Sequence, residues 1–176
     1  MVLNFKVAFG ITLTFFLCGC IVQSSQLNNF IELVKEPSMD LLDNRWSVRY
    51  SNYESIVYPV STSNGILFSN REGDQVFFDG WNIRKIRGMG NYQLSININI
   101  DEINGMRFFH KGNRLLSKHQ CDQWEALRNS GLVRYHQYCS GERSYRNSIL
   151  LEEEDVSMIR QIIDERYTVL TLTKLK

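Results

Sequence analysis

The sequence predicts a mainly β domain of antiparallel strands, with helix confined to two short segments. From Trp46 onward, apolar residues recur with a period of two, which is typical of strands with one buried face. Turn-forming pairs such as Asn64-Gly65 and Asp79-Gly80 divide the chain at intervals close to the roughly 8–12 residues seen in meandering sheets. A hydrophobic content of 43% with only 2 prolines in 176 residues excludes a disordered chain and fits one folded domain.

The first segment is expected to be a secretory signal. Lys6 is its only charged residue, and the apolar run that follows ends at Cys20, short of the roughly 20 apolar residues that a membrane-spanning helix needs. Leu17, Cys18, Gly19 and Cys20 resemble the bacterial lipobox, in which the last cysteine is acylated and becomes the first residue of the mature protein. We therefore expect a signal peptide over 1–19 and a single lipid-anchored, β-rich domain over 20–176.

The residue after Cys20 bears on the location of the protein. Ile21 stands where enterobacterial-type sorting uses aspartate for inner-membrane retention, so the periplasmic face of the outer membrane is expected. The alternative is an ordinary cleaved signal with an accidental cysteine.

The segment from Cys20 onward carries 19 acidic residues and, without Lys6, an equal number of basic ones. This balance predicts no nucleic-acid partner. The expected lipid predicts a membrane partner.

A short N-terminal helix is expected between Ser24 and Pro37. Serine is favoured at helix N-caps, and proline ends a helix. Between them, apolar residues recur at helical spacing. These residues are Leu27, Phe30, Ile31 and Val34.

Strands are predicted in sequence after this helix. The clearest is "LSININI", in which four apolar residues alternate with polar ones, while Pro59 in "SIVYPV" indicates an edge strand. The other segments with strand character are "WSVRYSNY", "ILFSN", "QVFF", "WNIRKIR", "GMRFFH", "LVRYHQYC" and "TVLTLTKL".

One further helix is predicted over Ser117–Asn129. Cys121, Trp124 and Leu127 would lie on one side of it, and Gly131 would end it. The segment from Glu152 to Tyr167 is ambiguous by periodicity alone. It fits a helix with acidic residues in its first turn, and it also fits a charged turn followed by a strand.

The cysteines outside the expected signal predict a disulfide. Of the 4 cysteines, Cys121 and Cys139 remain after Cys18 and Cys20 are assigned to the signal and the lipid site, and an even pair fits an oxidising periplasm. The alternative is a metal or redox site, since His110, His119 and His136 lie nearby in the sequence. Their spacing matches no recognised zinc pattern, so we predict no metal and no cofactor.

The run from Trp46 to Leu94 contains, in order, a serine-to-aspartate turn, a hydrophobic strand, a glycine, a basic hydrophobic strand, a second glycine and a leucine. These elements are Ser69 to Asp74, Val76 to Phe78, Gly80, Ile83 to Ile86, Gly88 with Met89, and Leu94. In this pattern the run resembles the YjbF and GfcB lipoproteins, the group 4 capsule family of Gram-negative exopolysaccharide operons. The tail from Tyr145 to Lys176 is also similar, with an acidic turn at Glu152–Asp155.

The resemblance implies both a fold and a role. The fold would be a large, strongly bent antiparallel sheet, half-barrel or sandwich-like, with helical additions, and the ambiguous tail would form strands. The role would be that of a non-enzymatic accessory of exopolysaccharide or capsule export or assembly, whose partners would be acidic polysaccharide or export-operon proteins.

Candidate glycan contacts lie in one short stretch. Trp81 can stack on a sugar, and Lys85 and Arg87 share one strand face where they could pair with acidic groups, while Arg84 points to the other face. The alternative is a core tryptophan beside a solvated basic face.

Two other functions are considered. A glycan-cleaving enzyme needs two carboxylates about 5–10 Å apart, and Asp74 with Asp79 would serve only if their turns converged. Both occupy turn positions that favour aspartate, so no catalytic residue is predicted. A lipid or lipoprotein carrier would need an apolar concave face. Its candidate lining residues are Phe77, Phe78, Phe108 and Phe109.

Overall fold

Thirteen strands and one short 3₁₀ helix make up residues 44–176, the part of the chain that this computed structural model describes. The strands are β1 (Trp46–Tyr50), β2 (Tyr53–Thr62), β3 (Gly65–Ser69), β4 (Gln75–Phe78), β5 (Ile83–Gly88), β6 (Leu94–Asp101), β7 (Met106–Lys111), β8 (Arg114–Cys121), β9 (Glu125–Asn129), β10 (Leu132–Ser140), β11 (Ser144–Glu152), β12 (Asp155–Ile162) and β13 (Val169–Lys174). The 3₁₀ helix, Gly90–Tyr92, connects β5 to β6. No helix within residues 44–176 is long and apolar enough to cross a membrane.

The strands form one antiparallel sheet that closes on itself. Each strand from β1 to β7 pairs with the next, and β8 pairs with β10. β10 pairs with β11, β11 with β12, β12 with β13, and β13 returns to pair with β1. Twelve strands therefore form a closed barrel, and β9 is an additional strand beside β10. The prediction of a mainly antiparallel β fold is confirmed. The half-barrel or sandwich description fits only in part, because the sheet closes.

The predicted helix over Ser117–Asn129 is wrong. This segment contains the end of β8 and all of β9. In β8 the side chains of His119 and Cys121 are buried and that of Gln120 is exposed, which is the alternation of a strand. Pairing of β8 with β7 and of β9 with β10 outweighs the weak helical spacing of the segment.

Two other predictions concern the ends of the chain. The tail forms strands, since β12 covers Asp155–Ile162 after a turn in which Glu153 and Glu154 have positive φ angles of 52° and 76°. The expected helix between Ser24 and Pro37 lies outside the described residues, as do the expected signal over 1–19 and Cys20.

Side chains pointing into the barrel form a continuous apolar core. Inward positions of neighbouring strands face each other, so Ile86 of β5 lies beside Ile96 of β6, and Ile98 lies beside Phe109 of β7. Core residues from β11, β12 and β13 approach from the other wall. At about 25 cal/mol per Å² of apolar surface, this burial is the main stabilising contribution to the fold.

The seam between β8 and β10 is the shortest joint of the barrel. Only two residue pairs are in register there, Cys121 with Cys139 and Gln120 with Ser140. The predicted disulfide is present at this joint, joining Cys121 to Cys139 over a sequence separation of 18. A covalent bond thus supplements a ladder that is too short to hold the seam strongly.

Replacing both cysteines with serine should lower the free energy of unfolding by about 3 kcal/mol, because the disulfide restricts the unfolded chain over the loop that it closes. Chemical denaturation of the full chain, monitored by tryptophan fluorescence, measures this change. Reductant should destabilise the unaltered protein and leave the double variant unaffected. Equal stability of the two proteins under oxidising conditions would show that the disulfide does not stabilise the seam.

Candidate functional site

A cavity of about 540 Å³ lies at one end of the barrel. It is lined by the β4–β5, β6–β7 and β8–β9 connections, together with inward residues of β7 and β10. In an antiparallel meander, the connections after β4, β6 and β8 fall at the same end. The volume lies within the roughly 300–1,000 Å³ that is usual for small-molecule sites.

Trp81 is an exposed aromatic residue at this cavity. Its side chain is 44% exposed, and its ring lies 5.8 Å from that of Trp124 and 5.0 Å, edge to face, from that of Tyr135. Trp124 also lines the cavity. Two indoles, one from each of two connections, therefore form an aromatic rim.

The backbone on both sides of Trp81 is held by hydrogen bonds. The Asp79 carboxylate accepts from the backbone N–H groups of Trp81 at 2.9 Å and Asn82 at 2.7 Å. The Gln161 side chain, from β12 in the other wall, donates to the Trp81 carbonyl at 2.7 Å and accepts from the Ile83 N–H at 3.0 Å. These contacts fix the loop, so little conformational entropy would be lost when a ligand binds to the indole.

Arg107 borders the same cavity and is completely buried, with 0% of its surface exposed. Its Nη2 lies 3.3 Å from Gln161 Oε1, and its guanidinium carbon lies 5.6 Å from the centre of the Phe109 ring. Burial lowers the pKa of Arg107 to about 10, an effect that Tyr145 and Asp79 partly oppose. The group still carries its charge at neutral pH.

A layer of polar side chains lies beneath the rim beside Arg107. Asn147 donates to Gln137 Oε1 at 3.2 Å, and Gln137 donates to the Asp122 carbonyl at 3.1 Å. Ile162 donates its N–H to Asn147 Oδ1 at 3.0 Å. The amides in this layer thus bind one another and the backbone, which keeps the floor of the cavity polar and ordered.

The histidines and cysteines form no metal cluster within residues 44–176. Burial, and then the charge of Arg107, lower the pKa of His119. Its Nδ1 lies 2.8 Å from the Tyr145 hydroxyl, and its ring stacks on Tyr167. His119 is therefore part of an aromatic cluster inside the barrel.

The predicted glycan-contact residues are separated by the structure. Trp81 lines the cavity, whereas Lys85 and Arg87 are exposed on the outer face of β5, beside Asn97 and Ser95 of β6. Arg84 is the extra residue at a β-bulge between β4 and β5, and it pairs with Asp79 at 3.5 Å. The indole and the two outer cations therefore belong to different surfaces.

Arg107, Trp124, Asn82 and Gln161 were not singled out from the sequence. The sequence contains one indication of Arg107. In the strand "GMRFFH", the alternation that buries Phe109 also turns residue 107 inward. A charged residue at an inward strand position is uncommon without a partner.

The carboxylates considered for glycan cleavage lie at opposite ends of β4. Five residues of nearly extended chain separate Asp74 from Asp79, which corresponds to roughly 16 Å. That distance exceeds the spacing of paired glycosidase carboxylates. Asp79 instead holds the Trp81 loop and pairs with Arg84.

The four phenylalanines considered for a lipid-binding face point in different directions. Phe78 and Phe109 are buried in the core. Phe77 and Phe108 alternate with them and lie on the outer face of the sheet, opposite Lys85 and Asn99 respectively. The four rings therefore do not line a common concave surface.

Asp74 organises the other end of the barrel. Its side chain is only 1% exposed, and it accepts hydrogen bonds from the Tyr53 hydroxyl at 2.6 Å, from Ser55 and Asn70 at 2.8 Å each, and from the Met89 N–H at 2.6 Å. Burial raises the pKa of its carboxyl group, but these hydrogen bonds outweigh burial and lower the pKa below its usual value. Asp74 is a structural carboxylate that joins three connections.

Comparison with solved structures shows a likeness in fold to a lipoprotein. A crystal structure of the hypothetical lipoprotein YmcC from Escherichia coli (K12) superimposes with a TM-score of 0.51 at 11% sequence identity. The match covers 89% of this chain and 96% of that one. At this identity the likeness shows the fold alone. No protein-family model matches the chain, and no curated protein matches its sequence.

Replacing Asp74 with asparagine should lower the free energy of unfolding by about 2 kcal/mol at pH 7, since a charged acceptor of several hydrogen bonds is lost. The folded-state pKa is lowered, so the stabilisation is present above the unfolded value of about 3.9 and is lost as pH falls through the folded value. The difference between the variant and the unaltered protein should therefore shrink below about pH 4. Urea titrations at several pH values measure it.

Asp101→Asn serves as the matched control. Asp101 also accepts hydrogen bonds in a turn, but those bonds are exposed, so its loss should be much smaller. Equal effects of the two substitutions would show that the buried hydrogen bonds of Asp74 contribute no more than those of an exposed turn.

Proposed function

We propose that this protein is a lipid-anchored cell-envelope protein that binds acidic polysaccharide, as a non-enzymatic accessory of exopolysaccharide or capsule export or assembly. The observation that carries the binding role is the Trp81–Trp124 rim over a cavity bordered by a buried cation, Arg107. Aromatic faces stack on the C–H surfaces of sugars, and cations attract acidic groups. The likeness in fold to a protein called a lipoprotein, and the Leu17–Cys20 pattern, support the anchor.

An anchor at Cys20 places the domain at a membrane of the envelope, and Ile21 favours the outer one. One acyl chain holds a protein only weakly, at about 0.8 kcal/mol per buried CH₂, whereas the three chains typical of bacterial lipoproteins hold it stably. Polymers that cross or coat the envelope are then the molecules that the domain meets.

The kinds of group at the cavity support the proposal of binding without cleavage. Indoles and a fixed loop form the rim, and amides with one guanidinium form the floor. The carboxylates that line it, Glu102 and Asp122, are exposed and lie on separate connections. The role proposed for the cavity is to hold a segment of polymer.

Replacing Cys20 with serine should release the protein from membranes and leave its signal uncut, because serine cannot form the thioether. Membrane fractionation and mass analysis of the N-terminus measure both effects. Cys18→Ser is the matched control, since Cys18 is removed with the signal, and this variant should stay anchored and processed. A Cys20→Ser protein that remains membrane-bound and processed would rule out the lipid anchor.

Replacing Trp81 with alanine should weaken binding of polygalacturonate roughly tenfold, because the stacking surface at the rim is lost. Calorimetric titration of the detergent-extracted full chain measures the affinity, with dextran as the uncharged polymer. Tyr92→Ala is the matched control, since Tyr92 is 42% exposed and lies in the β5–β6 connection at the opposite end.

A second comparison separates the cavity from the outer wall of the barrel. The double variant Lys85→Ala/Arg87→Ala should bind almost as well as the unaltered protein at physiological salt, since exposed charges contribute little. If this variant loses binding and Trp81→Ala does not, the glycan surface is the outer face of β5. No binding of polygalacturonate by the unaltered protein would overturn the proposed function.

A further inference from the structure

Unpartnered polar atoms are concentrated at the cavity. Nine buried side-chain nitrogen and oxygen atoms lack a hydrogen-bond partner within residues 44–176, and four of them belong to three side chains that line this cavity. They are Nε and Nη1 of Arg107, Oδ1 of Asn82 and Nε1 of Trp124. Buried polar atoms are nearly always satisfied in folded proteins, so such a cluster indicates a ligand that supplies the partners.

The buried guanidinium of Arg107 is suited to binding an anion. Nε and both hydrogens of Nη1 are free to donate, and Gln161 Oε1, which accepts from Nη2, is uncharged. Within the described part of the chain, no carboxylate forms an ion pair with Arg107. Asp79 attracts the guanidinium but forms no ion pair with it. A buried charge with no directly paired counter-charge is costly, and planar carboxylates match the hydrogen-bonding geometry of guanidinium.

The other two groups define the rest of the ligand. Asn82 Oδ1 accepts a hydrogen bond, so it needs a hydroxyl or amine, whereas the Trp124 N–H donates and needs an oxygen. Trp81 adds an exposed ring suited to an apolar C–H face. A carboxylate, hydroxyl groups and a C–H face occur together in one residue of an acidic sugar.

We propose that the cavity binds a uronic acid residue, with its carboxylate paired to Arg107, its hydroxyls hydrogen-bonded to Asn82 and Trp124, and its C–H face against Trp81. This subsite rests on the proposed function and specifies which part of the polymer is recognised. Because all four unpartnered atoms have almost no exposed surface, the sugar reaches them only when side chains at the rim move aside. A change in tryptophan fluorescence should therefore accompany binding.

The test compares trigalacturonate with its methyl ester, which has the same hydroxyls and rings but no charge. The unaltered full chain in detergent should bind the acid at least about tenfold more tightly than the ester. The preference should persist at about 0.5 M NaCl, since a buried pair is screened much less than exposed charges. Arg107→Met should bring the two affinities within about twofold of each other, with thermal unfolding recorded to show that the variant is folded.

Control variants distinguish this subsite from other charges and roles. Lys85→Ala/Arg87→Ala should retain the acid preference. Trp124→Phe should weaken both ligands, because it keeps a ring and removes the N–H donor. The ester comparison and the salt series use the unaltered protein, so they decide the matter even if Arg107→Met does not fold.

The outcomes separate this inference from the proposed function. Equal binding of acid and ester, a preference lost at high salt, or a preference retained in Arg107→Met would each overturn the uronate subsite while leaving glycan binding at Trp81 in place. If neither ligand nor polygalacturonate binds, both proposals fail.

Discussion

Closure of the sheet between β8 and β10 is the constraint on which the rest of this structure depends. The seam has two residue pairs in register and one disulfide, yet it turns a meander of neighbouring strands into a ring. In the ring each of the twelve strands has a neighbouring strand on both sides, and the ring encloses one core. Through this closure β7 and β12 are walls of one barrel and contribute Phe109 and Ile159 to one core.

One side chain, that of Gln161, connects the two walls of the closed barrel at the cavity. Gln161 reaches from β12 to the opposite side of the barrel, where it bonds to the backbone of Trp81 and Ile83 and to the Arg107 guanidinium. Its amide has one donor end and one acceptor end, and both are used. Gln161 thus contacts both the Trp81 loop at the rim and the Arg107 guanidinium at the floor of the cavity.

The two ends of the barrel handle buried charge in opposite ways. At the Asp74 end, hydroxyl, amide and backbone donors surround the carboxylate, so its negative charge is hydrogen-bonded on both oxygens. At the cavity end, Arg107 has one uncharged acceptor. A fully satisfied charge favours a structural role, and an incompletely satisfied one favours recognition of a ligand. This contrast is the physical reason for assigning binding to the cavity end and stability to the other.

The sequence by itself determined the antiparallel β class, most of the strands and turns, the cysteine pair, and Trp81 as a candidate contact residue. These features depend on local period and turn chemistry, which residues close in the chain specify. Only the tertiary structure decided that the sheet closes, that residues 117–129 are strands, and that Trp81 belongs with Arg107 and not with Lys85 and Arg87. Closure of the sheet and the position of Trp81 beside Arg107 depend on pairing between separate strands of the barrel, and the strands within residues 117–129 depend on pairing with β7 and β10. The periodicity of a single segment carries no information about such pairing.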